Sequence, residues 1–251
     1  MNSADVTFVI LTRNEARNLS RALESLPPAA PLLVVDAESS DGTVALAQER
    51  GAEIVVRPWE GFVSARRFAL GRVRTPWTFM LDADESLDPG LREALLRAAP
   101  GERVDGYQVR RSTWFCGRPI AGAGWGEETL LRLFRTGSAT LEARPVAGGR
   151  SDLHEAWKVP GEVETLEGVL FHHSYPTLAS YREKFGRYTS LEAQGLPPSR
   201  VALAGSLLAA LARAPWLFFV RGGWRDGWRG AFISAASAFY PAVARWKALR
   251  K

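Results

Sequence analysis

The sequence predicts an α/β fold on a mostly parallel sheet, and three observations carry that prediction. Four short apolar, β-branched runs (Val6–Leu11, Leu32–Val35, Ile54–Val56 and Trp77–Leu81) read as buried strands. Segments of helical periodicity separate them, which is the alternation of a parallel sheet covered on both faces. Polar clusters follow the first, second and fourth runs, where such a sheet binds ligands at the carboxyl ends of its strands.

Each element has its own justification. Glu15–Leu26 places Ala16, Leu19, Ala22, Leu23 and Leu26 at helical spacing, and Pro27-Pro28 stops it. Asp41–Arg50 reads as a helix with Ser40 or Asp41 as cap and Gly51 past its end. Phe62–Val73 reads as the third helix. Beyond residue 100 the pattern loosens: Asp105–Arg111, Leu130–Arg135 and Val169–His173 read as strands, and Glu142–Ser151 as a mobile loop. The division expected is 1–100, 101–196 and a tail, 197–251, opening at Pro197-Pro198.

Composition narrows the class. With 46% hydrophobic and 24% charged residues in 251, the chain is neither collagenous nor disordered. One cysteine, Cys116, excludes an internal disulfide and a cysteine zinc cluster. The start has no apolar stretch long enough for a signal peptide, so a cytoplasmic location is expected. The net charge of +5 is concentrated in residues 201–251, where eight Lys/Arg face a single acid, Asp226.

Asp82-Ala83-Asp84-Glu85 follows the fourth strand directly. Two carboxylates at i and i+2 there suit a hard divalent cation that keeps room for substrate phosphates. A solvated turn with helix-capping acids is the bland reading of the same four residues. Thr12-Arg13-Asn14-Glu15 and Asp36–Thr43 stand at the other two strand ends, where Ser40 and Asp41 also suit helix capping.

These residues resemble family-2 glycosyltransferases of GT-A fold, most of all the lipopolysaccharide core biosynthesis subgroup. The resemblance rests on Val9–Glu15, Val34–Thr43, Arg57–Phe62 and Leu81–Glu85. It continues through Asp105-Gly-Tyr107, Gly124-Trp125, Leu131–Phe134, His154-Glu155 and His172–Tyr175. It implies a GT-A, Rossmann-like sheet and transfer of a sugar from a nucleotide-sugar donor to a glycolipid or glycan precursor, with inversion. It implies that Thr12, Arg13, Glu15, Asp36, Asp41, Arg67, Asp82 and Arg132 line the donor site. Asp82, Asp84 and His154 would hold a divalent metal, Mg or Mn, with Asp84 the more direct ligand. His172 and His173 stay open, and Trp125 and Trp157 are candidates to stack on sugar rings.

The subgroup often shows Gly-Trp-Tyr-Pro-Asp ahead of its Leu-Arg-Leu-Phe, and this chain shows Gly124-Trp-Gly-Glu-Glu128. Glu128 takes the Asp position as catalytic base, and Glu127 replaces the proline. An inverting displacement needs a carboxylate to take the acceptor proton opposite the leaving diphosphate. A polyprenyl-phosphate glycosyltransferase and a non-catalytic nucleotide-sugar or glycan-binding module are the other readings.

In the tail, Val201–Val220 approaches the ~20 apolar residues of a membrane span, but Arg213 and Pro215 interrupt it. Arg221–Gly230 then mixes Arg with Trp as interfacial anchors do. A segment lying on an anionic membrane surface is expected, peripheral on the inner face of the cell membrane. The long apolar runs suit lipid better than a nucleic-acid phosphate track, so no nucleic acid is expected. A helical hairpin packed on the catalytic domain is the structural alternative.

Overall fold

The structure, a computed structural model, describes residues 1–98, 101–126, 128–143 and 155–251. The described residues form two compact units. The first takes those of 1–111, 129–143 and 155–172, and the second takes 112–126, Glu128 and 173–251.

The first unit is built on β1 (Val6–Thr12), β2 (Leu32–Asp36), β3 (Glu53–Val56) and β4 (Trp77–Asp82), mutually parallel in the order β3-β2-β1-β4. The sheet continues through β8 (Glu128–Arg135), β6 (Val104–Phe115), β11 (Glu162–Tyr175) and β5 (Glu85–Leu87). β8 runs antiparallel to β4, and β5 antiparallel to β11. The sheet is therefore mixed, parallel from β3 to β4 and antiparallel at β4–β8 and β11–β5, where a mostly parallel sheet was expected. The four parallel strands are joined through helices, whereas a two-residue turn joins β4 to β5 and β8 enters beside β4 in the opposite direction.

Alternation along β1 builds two cores. Val6, Phe8 and Ile10 point to one face, against Leu19, Ala22 and Leu23 of α1 (Ala16–Ser25), Ala47 of α2 (Thr43–Glu49), and Leu91 and Leu95 of α4 (Pro89–Arg97). Val9 points to the other, against Ala69 of α3 (Phe62–Leu70). The antiparallel pair β9 (Thr140–Ala143) and β10 (Glu155–Lys158) adds Leu141 and Trp157 to that second core. Burying a side chain such as Phe8 or Phe79 contributes about 1.5–3 kcal/mol. Trp157 packs on Phe134 at 4.7 Å and is buried, so core packing is its role.

Several boundaries differ from the sequence expectation. β6 and β11 are longer than the runs that predicted them. Residues 142–143 belong to β9, and the rest of the expected mobile loop lies outside the described residues. α2 is capped by Gly42, with no side-chain cap bond. Asp41 instead accepts from the Thr43 N–H at 3.0 Å and the Ala16 N–H at 3.2 Å, tying α2 to the start of α1.

The second unit packs α5 (Leu178–Gly195), α6 (Arg200–Pro215) and α7 (Gly227–Ala248) with residues 112–126. Its core joins Phe115, Ile120, Ala123, Tyr181 and Ile233. Arg213 and Pro215 do not break α6, which continues as a π-helical segment, Trp216–Val220. A proline removes one donor and one bond in the preceding turn, and the wider π turn absorbs both.

Candidate active site

The register of the parallel strands brings three expected residues to one edge. Thr12 pairs with Asp36, and Leu11 with Asp82, so the ends of β1, β2 and β4 lie side by side. Asp36 is fully buried. It accepts from the Thr12 hydroxyl at 2.8 Å, the Ser39 N–H at 2.8 Å and the Ser39 hydroxyl at 2.5 Å. Asn14 sits in the left-handed region (φ 55), which asparagine tolerates better than most residues. Its N–H donates to Ser39 Oγ, and its amide oxygen accepts from the Ser40 N–H, each at 2.8 Å. The Glu15 N–H donates to Thr43 Oγ1 at 2.9 Å. The loops after β1 and β2 are thus one hydrogen-bonded body, with Arg13 exposed on it.

β4 ends in Asp82, a two-residue turn, and then Glu85. Asp82 accepts from Arg66 at 2.7 Å on one oxygen and from Arg132 at 2.9 Å on the other. Glu85 is fully buried and accepts from Arg132 at 2.6 Å, Arg111 at 3.2 Å and the Asp82 N–H at 3.1 Å. Burial pushes the Asp82 carboxyl up, but the Arg132 and Arg66 guanidiniums outweigh it and hold it far below the usual carboxylate range. Three guanidiniums, of Arg66, Arg111 and Arg132, thus face the Asp82 and Glu85 carboxylates at the strand edge.

Asp84 points elsewhere, with His172 Nε2 at 3.4 Å from its Oδ2. β11 sets that position, because His172 stands opposite Glu85 across the β5–β11 pair. Among the described residues no three His, Cys, Asp or Glu side chains gather into a metal cage. His154 and Glu127 lie outside the described residues. Arg67 donates to the Leu141 carbonyl at 3.2 Å and, with Glu60, Gly61, Val63 and Ser64, lines a cavity of ≈ 420 Å³. Arg132 turns to the Asp82 and Glu85 carboxylates and is buried.

In the second unit Glu128 opens β8 and is exposed. The loop ahead of it is held by Asp226, whose carboxylate accepts from the Ala121 N–H at 3.1 Å and the Gly122 N–H at 2.8 Å. The Ala123 N–H donates to the Arg221 carbonyl at 2.9 Å. Gly122 is required there, because a Cβ would run into the Gly222 carbonyl. Asp226, within the Arg221–Gly230 stretch expected to act as interfacial anchors, therefore clamps this loop. Trp125 joins an aromatic cluster with Tyr175 at 5.4 Å and Phe115 at 6.2 Å.

Sequence reasoning left Glu85, Arg66, Arg111 and Asp226 without roles. Glu85 was in view beside the two aspartates. The arginines reach the carboxylates across 16 to 50 residues of chain, with no local signal.

Known proteins resemble the chain in both sequence and fold. The family model described as glycosyl transferase family 2 matches residues 7–154. The chain is 33% identical over 248 residues to the lipopolysaccharide core biosynthesis glycosyltransferase LpsC of Rhizobium meliloti (strain 1021), covering 92% of this chain and 87% of that one. It is 35% identical over 220 residues to an uncharacterized glycosyltransferase of Rickettsia felis (strain ATCC VR-1525 / URRWXCal2), covering 85% and 77%. The mannosyltransferase PcManGT of Pyrobaculum calidifontis shares the fold, with a TM-score of 0.52 and 16% identity over 94% of this chain and 86% of that one. With the family's model over more than half its length, its fold, and relatives along nearly all of it, the chain belongs to glycosyl transferase family 2 and is a glycosyltransferase.

Proposed function

We propose that the chain moves a sugar, with inversion, from a nucleotide-sugar to a glycolipid or cell-surface glycan precursor of lipopolysaccharide-core type. One observation carries this: the ends of three parallel strands place Thr12, Asp36 and Asp82 side by side, with Asp84 and His172 following. The roles divide along the chain as donor half 1–100, acceptor half 101–196 and lipid-facing tail 197–251.

The donor set fits Mg or Mn. Both Asp82 oxygens accept from arginines, so Asp82 positions and Asp84 binds, with His172 beside it. One or two carboxylates plus substrate phosphates are the usual protein share for Mg²⁺. When bound, the metal offsets the charge that grows on the departing diphosphate. PcManGT, of the same fold, is described in complex with GDP-Man and Mn²⁺. Thr12, Arg13, Glu15, Asp36, Asp41 and Arg67 border the nucleotide in this reading, and Arg132 holds Asp82 toward it. Glu128 takes the acceptor hydroxyl proton.

The tail supports a membrane surface as the place of transfer. The helical stretch Arg200–Val220 is long and apolar enough to cross a membrane by length and composition. Its outward arc carries Val201 (84% exposed), Leu208 (69%), Leu211 (63%) and Phe219 (68%) at helical spacing, without a charge among them. Four arginines, Arg221, Arg225, Arg229 and Arg250, lie over Trp216, Trp224, Trp228 and Trp246, each tryptophan exposed. Such pairs set an aromatic body at the lipid boundary and the charge at headgroup level. These features support a position at the inner face of the cell membrane.

The test is nucleotide release from a panel of nucleotide-sugars by the full chain. Turnover should stop with EDTA and return with Mn²⁺ or Mg²⁺, and Asp84→Ala should lower it by about 100-fold. Donor binding with neither turnover nor a metal response would leave a binding module in place of an enzyme.

A further inference from the structure

A second cavity lies within the second unit, ≈ 380 Å³ in volume and in the size range of small-molecule sites. α5 contributes Tyr181, Phe185 and Tyr188, spaced to share one helix face. α7 contributes Ser237, Tyr240 and Pro241 from across the cavity. Trp125 and Tyr175 close one end, and Arg213 of α6 stands exposed at the rim. No acidic side chain pairs with Arg213 among the described residues.

We propose that this cavity binds a saccharide carrying an acidic group, a carboxylate or a phosphate, as part of the acceptor. The walls suit a pyranose ring. Trp125, Tyr175 and Tyr181 lie within 5.1 to 6.1 Å of one another; Tyr181 is buried behind the half-buried Trp125 and Tyr175, whose aromatic surface suits the C–H side of a sugar. Ser237, Tyr188 and Tyr240 add hydroxyls. The Tyr240 hydroxyl bonds Glu192, which leaves its oxygen to accept from the ligand. Burial raises the Tyr181 and Tyr240 phenols, assisted by Tyr175 and Glu192 respectively, so both stay protonated. The Arg213 fork matches a carboxylate or phosphate with two parallel bonds. An acyl chain in the same space would bury hydroxyls without partners, which is costly. The inference rests on the acceptor part of the proposed function, but it concerns binding without donor or metal.

Calorimetric titration of the full chain tests it, with glucuronate, glucose 6-phosphate, glucose, inorganic phosphate and a dodecyl-chain detergent monomer as probes. Glucuronate and glucose 6-phosphate should each bind about tenfold tighter than glucose or phosphate alone, which is 1.4 kcal/mol. A preference between the two shows which acid the cavity reads. Arg213→Gln is exposed and should fold; it should bring both sugars to within about twofold of glucose. Ser237→Leu, which adds bulk to the cavity wall, should weaken all three sugars. Equal binding of glucose and the acids in wild type, phosphate alone binding as well as its sugar ester, or a preference that survives Arg213→Gln overturns the proposal. So does detergent competing with the sugars for the cavity. Loss of donor turnover with these results intact would count against the enzyme reading and not against the cavity.

Discussion

Glu85→Ala should destabilise the first unit strongly while removing no residue expected to touch substrate. Glu85 has no exposed surface, and its carboxylate takes Arg132 at 2.6 Å, Arg111 at 3.2 Å and the Asp82 N–H at 3.1 Å. Deleting one member of a buried ion pair costs about 3–5 kcal/mol, mostly the penalty of stranding its partner. Asp82 still holds Arg132 after the deletion, so the lower end, about 3 kcal/mol, applies here. At about 2–4 °C per kcal/mol for a chain of this size, the melting midpoint should fall by about 6–12 °C. Thermal and urea unfolding measure it. The double variant Glu85→Met with Arg132→Met should lose less than Glu85→Ala alone, because apolar groups of similar volume replace the pair. A Glu85→Ala midpoint within about 2 °C of wild type, or a double variant worse than the single, would refute this account of the cluster.

Two further outcomes follow from the same coordinates. The Asp82 carboxyl is held low in the folded chain, so its ion pairs contribute fully above the unfolded value of about 3.9 and are lost as pH falls below it. Urea midpoints measured from pH 7 to pH 3 should therefore fall more steeply in wild type than in Asp82→Asn; parallel curves would contradict the ion-pair assignment. On the tail, Leu208→Asp with Phe219→Asp should abolish co-flotation with anionic vesicles and leave the melting midpoint nearly unchanged, since both side chains are exposed. Undiminished flotation would remove the membrane reading of α6.

The parallel part of the fold was legible because its signals are local. β1, β2, β3 and β4 are apolar runs closed by breakers, and the polar residues at their ends are adjacent in the chain. Thr12, Asp36 and Asp82 could be placed on one edge from periodicity and strand order alone. The antiparallel half was less legible: β6 and β11 alternate exposed and buried positions over 12 and 14 residues, and only their central portions read as strands. The ionic cluster was hidden for a different reason. Arg66 and Arg111 look like ordinary surface arginines, and Arg132 like a donor-site residue, until α3, β6 and β8 are in place. His172 stayed open as one of two adjacent histidines, and the β5–β11 register decides which of them faces Asp84. The tail's composition pointed outward to lipid, and nothing in it signalled that Asp226 points inward to the backbone of residues 121 and 122.

That inward contact changes what a deletion can mean. α7 supplies Ile233 to the core of the second unit, and the turn before it supplies the Asp226 carboxylate and the Arg221 carbonyl to the loop that carries Trp125. Gly230 packs so closely on the Gly223 carbonyl that no side chain fits between them. A chain shortened at residue 200 is thus a different folding problem, with an opened hydrophobic interior and an untethered loop ahead of Glu128. Reduced vesicle binding or lost activity in such a fragment would report unfolding as readily as a missing anchor. Point changes on the outward arc of α6 leave that interior whole, and they alone separate attachment from architecture.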